Sequence, residues 1–148
     1  MKTRSPNPGL KHGFRSGLED VIAKELSSRG VPFRYEAKED VIQYTKPARV
    51  SKYTPDFALP NGVIIETKGR FVTADRQKHI LIKEQHPDLD IRFLFSNPNS
   101  RISKQSQTTY AMWCEKHGFK YAKAATPAQV NKGAKSVPQE WIDHAKKH

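Results

Sequence analysis

The chain has 148 residues, which fits one domain of ordinary size. Its 26 Lys and Arg against 15 Asp and Glu give a formal net charge of +11, an excess that attracts polyanions and favours nucleic acid over an anionic membrane. No apolar run approaches the ~18 residues of a spanning helix, no secretory signal is expected at the start, and the single cysteine, Cys114, excludes an internal disulfide framework or a multi-cysteine zinc site.

Residues 1–12 hold two prolines and several basic residues and read as a basic flexible arm. A helix is predicted from about Gly17 to Arg29. Ser16 is a natural N-cap, Glu19 completes a capping box three residues later, and Gly30 supplies the stop. Val31, Phe33 and Tyr35 alternate with Pro32 and Arg34 as in a strand. The stretch from Glu39 to Lys52 lacks a period and reads as a surface loop or extended connector. Tyr53–Leu59 and Val63–Lys68 then flank Pro60, Asn61 and Gly62 as two strands of a hairpin, because Asn-Gly tolerates positive φ.

A second helix starts at Thr73 or Asp75, runs through Ile80, Leu81, Ile82 and Glu84, and is ended by Pro87. Ile91–Phe95 is a buried strand, and residues 96–106 form a polar loop. A third helix spans about Thr108 to His117, closed by Gly118, with a short strand at Phe119–Tyr121. Beyond Ala124 the pattern weakens, with one helical turn around Trp141. This order predicts an α/β fold in which helices flank a mixed sheet.

The hairpin carries the chemistry. Glu66 and Lys68 are two apart on one strand and share a face, while Thr67 points away. The turn brings Asp56 beside Glu66. Two converging carboxylates suit a hard divalent ion such as Mg²⁺, and an adjacent lysine can orient a water or neutralise phosphate charge. The plain alternative is an ion pair on a solvated strand with Asp56 as a turn residue. Against it, the acids interrupt apolar runs (Phe57, Ala58, Leu59; Val63, Ile64, Ile65) in a strongly basic chain. Glu19 has a sufficient job as the capping-box acid, and the residues alone favour that structural role.

Pro55-Asp56 followed by Glu66 and Lys68 resembles the PD-(D/E)xK nucleases. The likeness extends through residues 14–20, 53–57, 59–62, 66–69, Asp75 and Arg76, Lys78 and His79, residues 84–87 and residues 114–118. Together these segments, from about 12 to 123, resemble the phage endonuclease I family of Holliday-junction-resolving enzymes. The resemblance implies a restriction-endonuclease-like domain over residues 13–125, with a weakly patterned tail at 126–148. It implies a homodimer, domain-swapped across a bridge at 39–52, acting in the infected cell's cytoplasm. It implies cleavage of branched DNA with paired cuts. The catalytic set falls on Glu19, Asp56, Glu66 and Lys68. Mg²⁺ or Mn²⁺, two ions per site, would be held by Asp56, Glu66, the Thr67 carbonyl and Glu19.

Arg15, Ser16, Arg70, Arg76, Lys78 and His79 are candidate DNA contacts, although a solvated basic helix face explains several of them equally well. Two rival readings are a sequence- or lesion-specific nuclease of the same fold, and a non-catalytic basic nucleic-acid-binding protein.

Overall fold

Ser16 opens the first helix, α1 (Gly17–Ser28), through the reciprocal pair that its sequence predicts. Its hydroxyl accepts from the Glu19 N–H, and the Glu19 carboxylate accepts from the Ser16 N–H, both at 3.1 Å. Gly30, at φ +70°, then takes the left-handed conformation that ends the helix. The structure, a computed structural model, describes residues 16–46 and 49–145. The expected basic arm, Arg15 and the basic residues Lys146 and Lys147 lie outside the described residues.

After α1 the chain forms β1 (Arg34–Tyr35), a 3-10 turn at Lys38–Asp40, β2 (Ile42–Lys46), β3 (Arg49–Tyr53), β4 (Phe57–Ala58) and β5 (Val63–Lys68). It continues with α2 (Thr73–Gln85), β6 (Asp90–Phe95), α3 (Tyr110–His117), β7 (Lys120–Lys123), α4 (Pro127–Asn131) and α5 (Gln139–Ile142). Five strands make one mixed sheet in the order β1-β4-β5-β6-β7. The β1–β4 and β4–β5 pairs are antiparallel, and β5–β6 and β6–β7 are parallel. The mixed α/β architecture is as the sequence predicts.

Alternation along β5 divides the core. Val63 and Ile65 face α1, whose Ile22, Ala23 and Leu26 pack there with Phe57, Leu94, Trp141 and Ile142. Ile64 faces the other layer, where Ile82 of α2 meets Phe71, Phe93, Phe95, Trp113 and Phe119. The C-terminal segment therefore contributes to the α1-side core, with Val137, Trp141, Ile142 and Ala145 all buried. Cys114 is buried and free.

Three expectations change. Within the expected loop or connector, Ile42–Lys46 and Arg49–Tyr53 are regular: as β2 and β3 they pair with each other as a separate two-stranded ribbon. Tyr44 and Tyr53 turn inward, while Val50 is 60% exposed. Tyr53–Leu59 is not one strand, since Tyr53 ends β3 and β4 starts only at Phe57, after Pro55. At the turn only Gly62 has positive φ, at +90°. Asn61 works through its side chain instead: Oδ1 accepts from the Val63 N–H at 3.1 Å. Its Nδ2 donates to the carbonyls of Trp141 and Asp143 at 3.0 and 3.1 Å.

Candidate active site

The β4–β5 register pairs Phe57 with Ile65, which brings Asp56 opposite Glu66 at the open end of the hairpin. The two acids are tied through the backbone. The Asp56 N–H donates to Glu66 Oε2 at 2.7 Å, and the Thr67 N–H donates to Asp56 Oδ2 at 2.9 Å. The Thr67 hydroxyl also donates to Asp56 Oδ2, at 3.1 Å. Thr67 does lie on the opposite strand face from Glu66, yet it does not leave the site, because Asp56 at the strand end reaches round to it.

Glu19 arrives from the first turn of α1. Besides closing the capping box, its carboxylate accepts from the Tyr35 hydroxyl at 2.9 Å. Glu36 is the residue that sequence reasoning missed. It follows β1 at φ +45°, a left-handed conformation uncommon for a residue with a side chain, and its N–H donates to the Asp56 carbonyl at 3.3 Å. Carboxylate oxygens of Glu19, Glu36 and Asp56 all lie within 4.8 Å of one another. Asp56 thus stands between two sets of acids, Glu66 on one flank and Glu19 with Glu36 on the other.

The electrostatics follow from this crowding. Burial, and then the Glu66 charge, push the Asp56 carboxyl up to about 8 against the opposing pull of the Thr67 hydrogen bond, and Glu19 adds to the rise. Burial raises Glu66 as well, opposed first by Lys68 and then by the Asp56 N–H. Lys68 is steadied by Asp75 of α2, Nζ to Oδ1 at 3.6 Å. Lys78, half-buried, carries its ammonium 5.5 Å from the centre of the Tyr53 ring, and burial and then Lys68 lower its pKa. Buried carboxylates of one sign cost free energy unless a cation meets them. The donors at Glu19, Glu36 and Asp56 are all carboxylate oxygens, the set that a hard divalent ion takes, so these residues fit a metal.

The expected DNA contacts fare unevenly. Ser16 is exposed at the start of α1. Arg70 is exposed just after β5, where with Arg101 and Lys104 it lines a basic groove of about 310 Å³. Two expectations are corrected. Arg76 is buried, and its guanidinium is spent on the Phe71 carbonyl and on the Thr73 hydroxyl at 3.0 Å. His79 is fully buried among Tyr53, Phe93 and Phe119. Neither side chain can reach a phosphate.

A profile of the family described as Phage endonuclease I matches residues 4–148. The chain belongs to the phage endonuclease I family. Among its relatives are Endonuclease I of Escherichia phage T7, 48% identical over 134 residues that cover 90% of this chain and 81% of that protein. Endodeoxyribonuclease 1 of Enterobacteria phage T3 is 52% identical over 126 residues, covering 84% of this chain and 82% of that protein. The span matched to the phage endonuclease I family contains Glu19, Glu36, Asp56, Glu66 and Lys68.

Proposed function

We propose that the chain is a metal-dependent endodeoxyribonuclease that resolves four-way DNA junctions and other branched DNA by paired phosphodiester cuts, on a fold of the PD-(D/E)xK type. Relatives named endonuclease and endodeoxyribonuclease at about half identity support DNA cleavage. The observation that carries the mechanism is the acid cluster of buried Glu19 and Asp56 with half-buried Glu36, oxygens within 4.8 Å, and Glu66 also against Asp56, in a chain of net charge +11.

Mg²⁺ or Mn²⁺, as two ions per site, would supply Lewis-acid stabilisation of phosphate charge and an acidified water. Asp56, Glu66 and the Thr67 carbonyl would hold one, with Asp56, Glu19 and Glu36 holding the other. The protein's own part is positional. Thr67 fixes the Asp56 carboxylate by two hydrogen bonds, and the Asp56 N–H fixes Glu66. Lys68, braced by Asp75, presents an ammonium beside Glu66 that can hold the attacking water or take up charge on the phosphate. Ser16, Arg70 and Lys78 are the described candidates that remain for backbone contacts.

Branch selection calls for a two-fold binder that meets several backbones at once. Residues 39–52 are proposed as the bridge of a domain-swapped homodimer. The ribbon they largely form is separate from the five-stranded sheet and exposes Val50, which supports that role. The test is cleavage of a four-way junction and its matched linear duplexes, in Mg²⁺ and in chelator. Cutting of the junction alone, lost on chelation, is expected. Cutting that follows base sequence irrespective of branching would instead favour a sequence-specific nuclease of the same fold.

A further inference from the structure

Among the described site candidates, His79 is the one whose side chain is wholly inside the protein, at 0% exposure. It sits on α2, the helix that also carries Asp75 and Lys78 beside the hairpin. The ring is gripped edge-on by Tyr53 at 5.1 Å and Phe93 at 4.9 Å, with Phe119 at 6.3 Å. These walls leave the imidazole little freedom to turn.

Both ring nitrogens are buried and neither has a hydrogen-bond partner. A buried donor left unmade costs free energy, whereas a phenyl ring would fill an aromatic slot without that cost. The imidazole therefore needs an explanation beyond packing. Its Nε2 lies 3.9 Å from Glu66 Oε1. Glu66 Oε2 accepts from the Asp56 N–H, the Tyr53 hydroxyl also faces this carboxylate, and Oε1 is the oxygen that lies toward the imidazole.

We propose that His79 is a positioning residue for Glu66, its Nε2–H serving as the donor that fixes Oε1 and so sets the carboxylate for metal binding. This rests on the reading of Glu66 as a metal ligand. The present separation exceeds hydrogen-bond distance by about 1 Å, so the proposal requires the two groups to draw together when the ion binds. Outer partners of this kind typically govern metal affinity by ~10–100-fold.

The experiment uses the full chain and Ca²⁺ or Mn²⁺ titrated in a calorimeter without DNA. His79→Phe keeps the ring and removes the donor, while His79→Gln restores an N–H near the position of Nε2. His79→Phe should bind the ion ~10–100-fold more weakly, and His79→Gln should recover most of that loss. Wild-type affinity in His79→Phe, or equal losses in the two variants, overturns the proposal. Wild-type protein that binds neither ion sinks the metal reading, and the proposal with it. Should His79→Phe fail to fold, the wild-type imidazole nitrogen resonances decide. An Nε2–H tautomer whose signals move on adding Ca²⁺ is expected, and an Nδ1–H tautomer or unmoved signals overturn it.

Discussion

One buried carboxylate and a crowd of several sit at opposite ends of α1, and they are solved in opposite ways. At the C-terminal end Glu25 is fully provisioned. It pairs with Arg29 at 2.7 Å and accepts the N–H groups of Ser136 and Val137 at 2.6 and 2.7 Å. Arg29 in turn donates to the Val137 carbonyl and the Gln139 side chain, at 2.6 and 3.1 Å. At the N-terminal end Glu19 faces Glu36 and Asp56, with Glu66 beyond, and the Asp56 carboxyl is driven up to about 8. A buried acid that the fold has paired is architecture. Acids crowded together, as Glu19, Glu36 and Asp56 are, could take up a cation from outside.

The contrast can be broken at several points. The largest effect is expected for Asp56→Asn, which should lower cleavage of a junction by ~10³-fold or more in Mg²⁺, as loss of a preorganised charge at the reacting centre does. Its circular dichroism should be unchanged. Near wild-type cutting would remove Asp56 from the site.

Glu25→Ala should act in the opposite sense. Removing one partner of a buried pair costs about 3–5 kcal/mol, a fall of roughly 10 °C or more in melting temperature for a chain of this size. Cleavage measured well below that transition should stay within about twofold of wild type, since only packing is altered. A folded Glu25→Ala protein that has lost cleavage would show the two ends of α1 to be coupled.

Glu36→Gln and Glu19→Gln probe the acids on the α1 flank. Each should reduce cleavage by ~10²-fold or more, with weaker Mn²⁺ binding and no loss of stability. For Glu19 the amide can still cap Ser16, so a stable but slow variant separates charge from capping. Full activity in Glu36→Gln would leave its positive φ without a catalytic reason.

The smallest effect is thermodynamic. The folded Asp56 carboxyl holds its proton to about 8, whereas in the unfolded chain it is released near the ordinary 3.8. Between those values the folded state binds more protons, so metal-free stability should fall as pH rises from about 4 to about 8. Glu66, raised in the same direction, adds to the slope. Thermal melts of the wild type and Asp56→Asn in chelator should therefore diverge with rising pH, the variant becoming the more stable. Parallel curves would mean that the cluster is not electrostatically strained.

What could be read from the sequence was local. Ser16, Glu19 and Gly30 encode both ends of α1 within fifteen positions, and the Asn61-Gly62 turn and the spacing of Glu66 and Lys68 fix the hairpin that carries the acids. What could not be read depends on distant packing. Glu36 enters the site through a single backbone conformation after Tyr35, with no period to betray it. Arg76 and His79 look like a polar helix face, yet with Ile82 they form the buried side of α2, because carbonyl and aromatic partners wait there. The β2–β3 ribbon was missed because its inward residues, Tyr44 and Tyr53, are too few to make a pattern. Glu25 meets Ser136 across 111 positions, a contact that no short motif announces.

The Asn61 amide adds a matter of timing. Its acceptors, the carbonyls of Trp141 and Asp143, lie 80 and 82 residues further along the chain. During synthesis the hairpin that bears Asp56 and Glu66 leaves the ribosome long before the segment that latches its turn. At ~5–20 residues per second, that interval lasts roughly 4–16 s. Through that time the turn's amide has only water to bond, and Trp141 has not yet covered the apolar face beneath it. The order of emergence therefore sets the order of completion: the acids are made early, and the latch that braces their hairpin is made late.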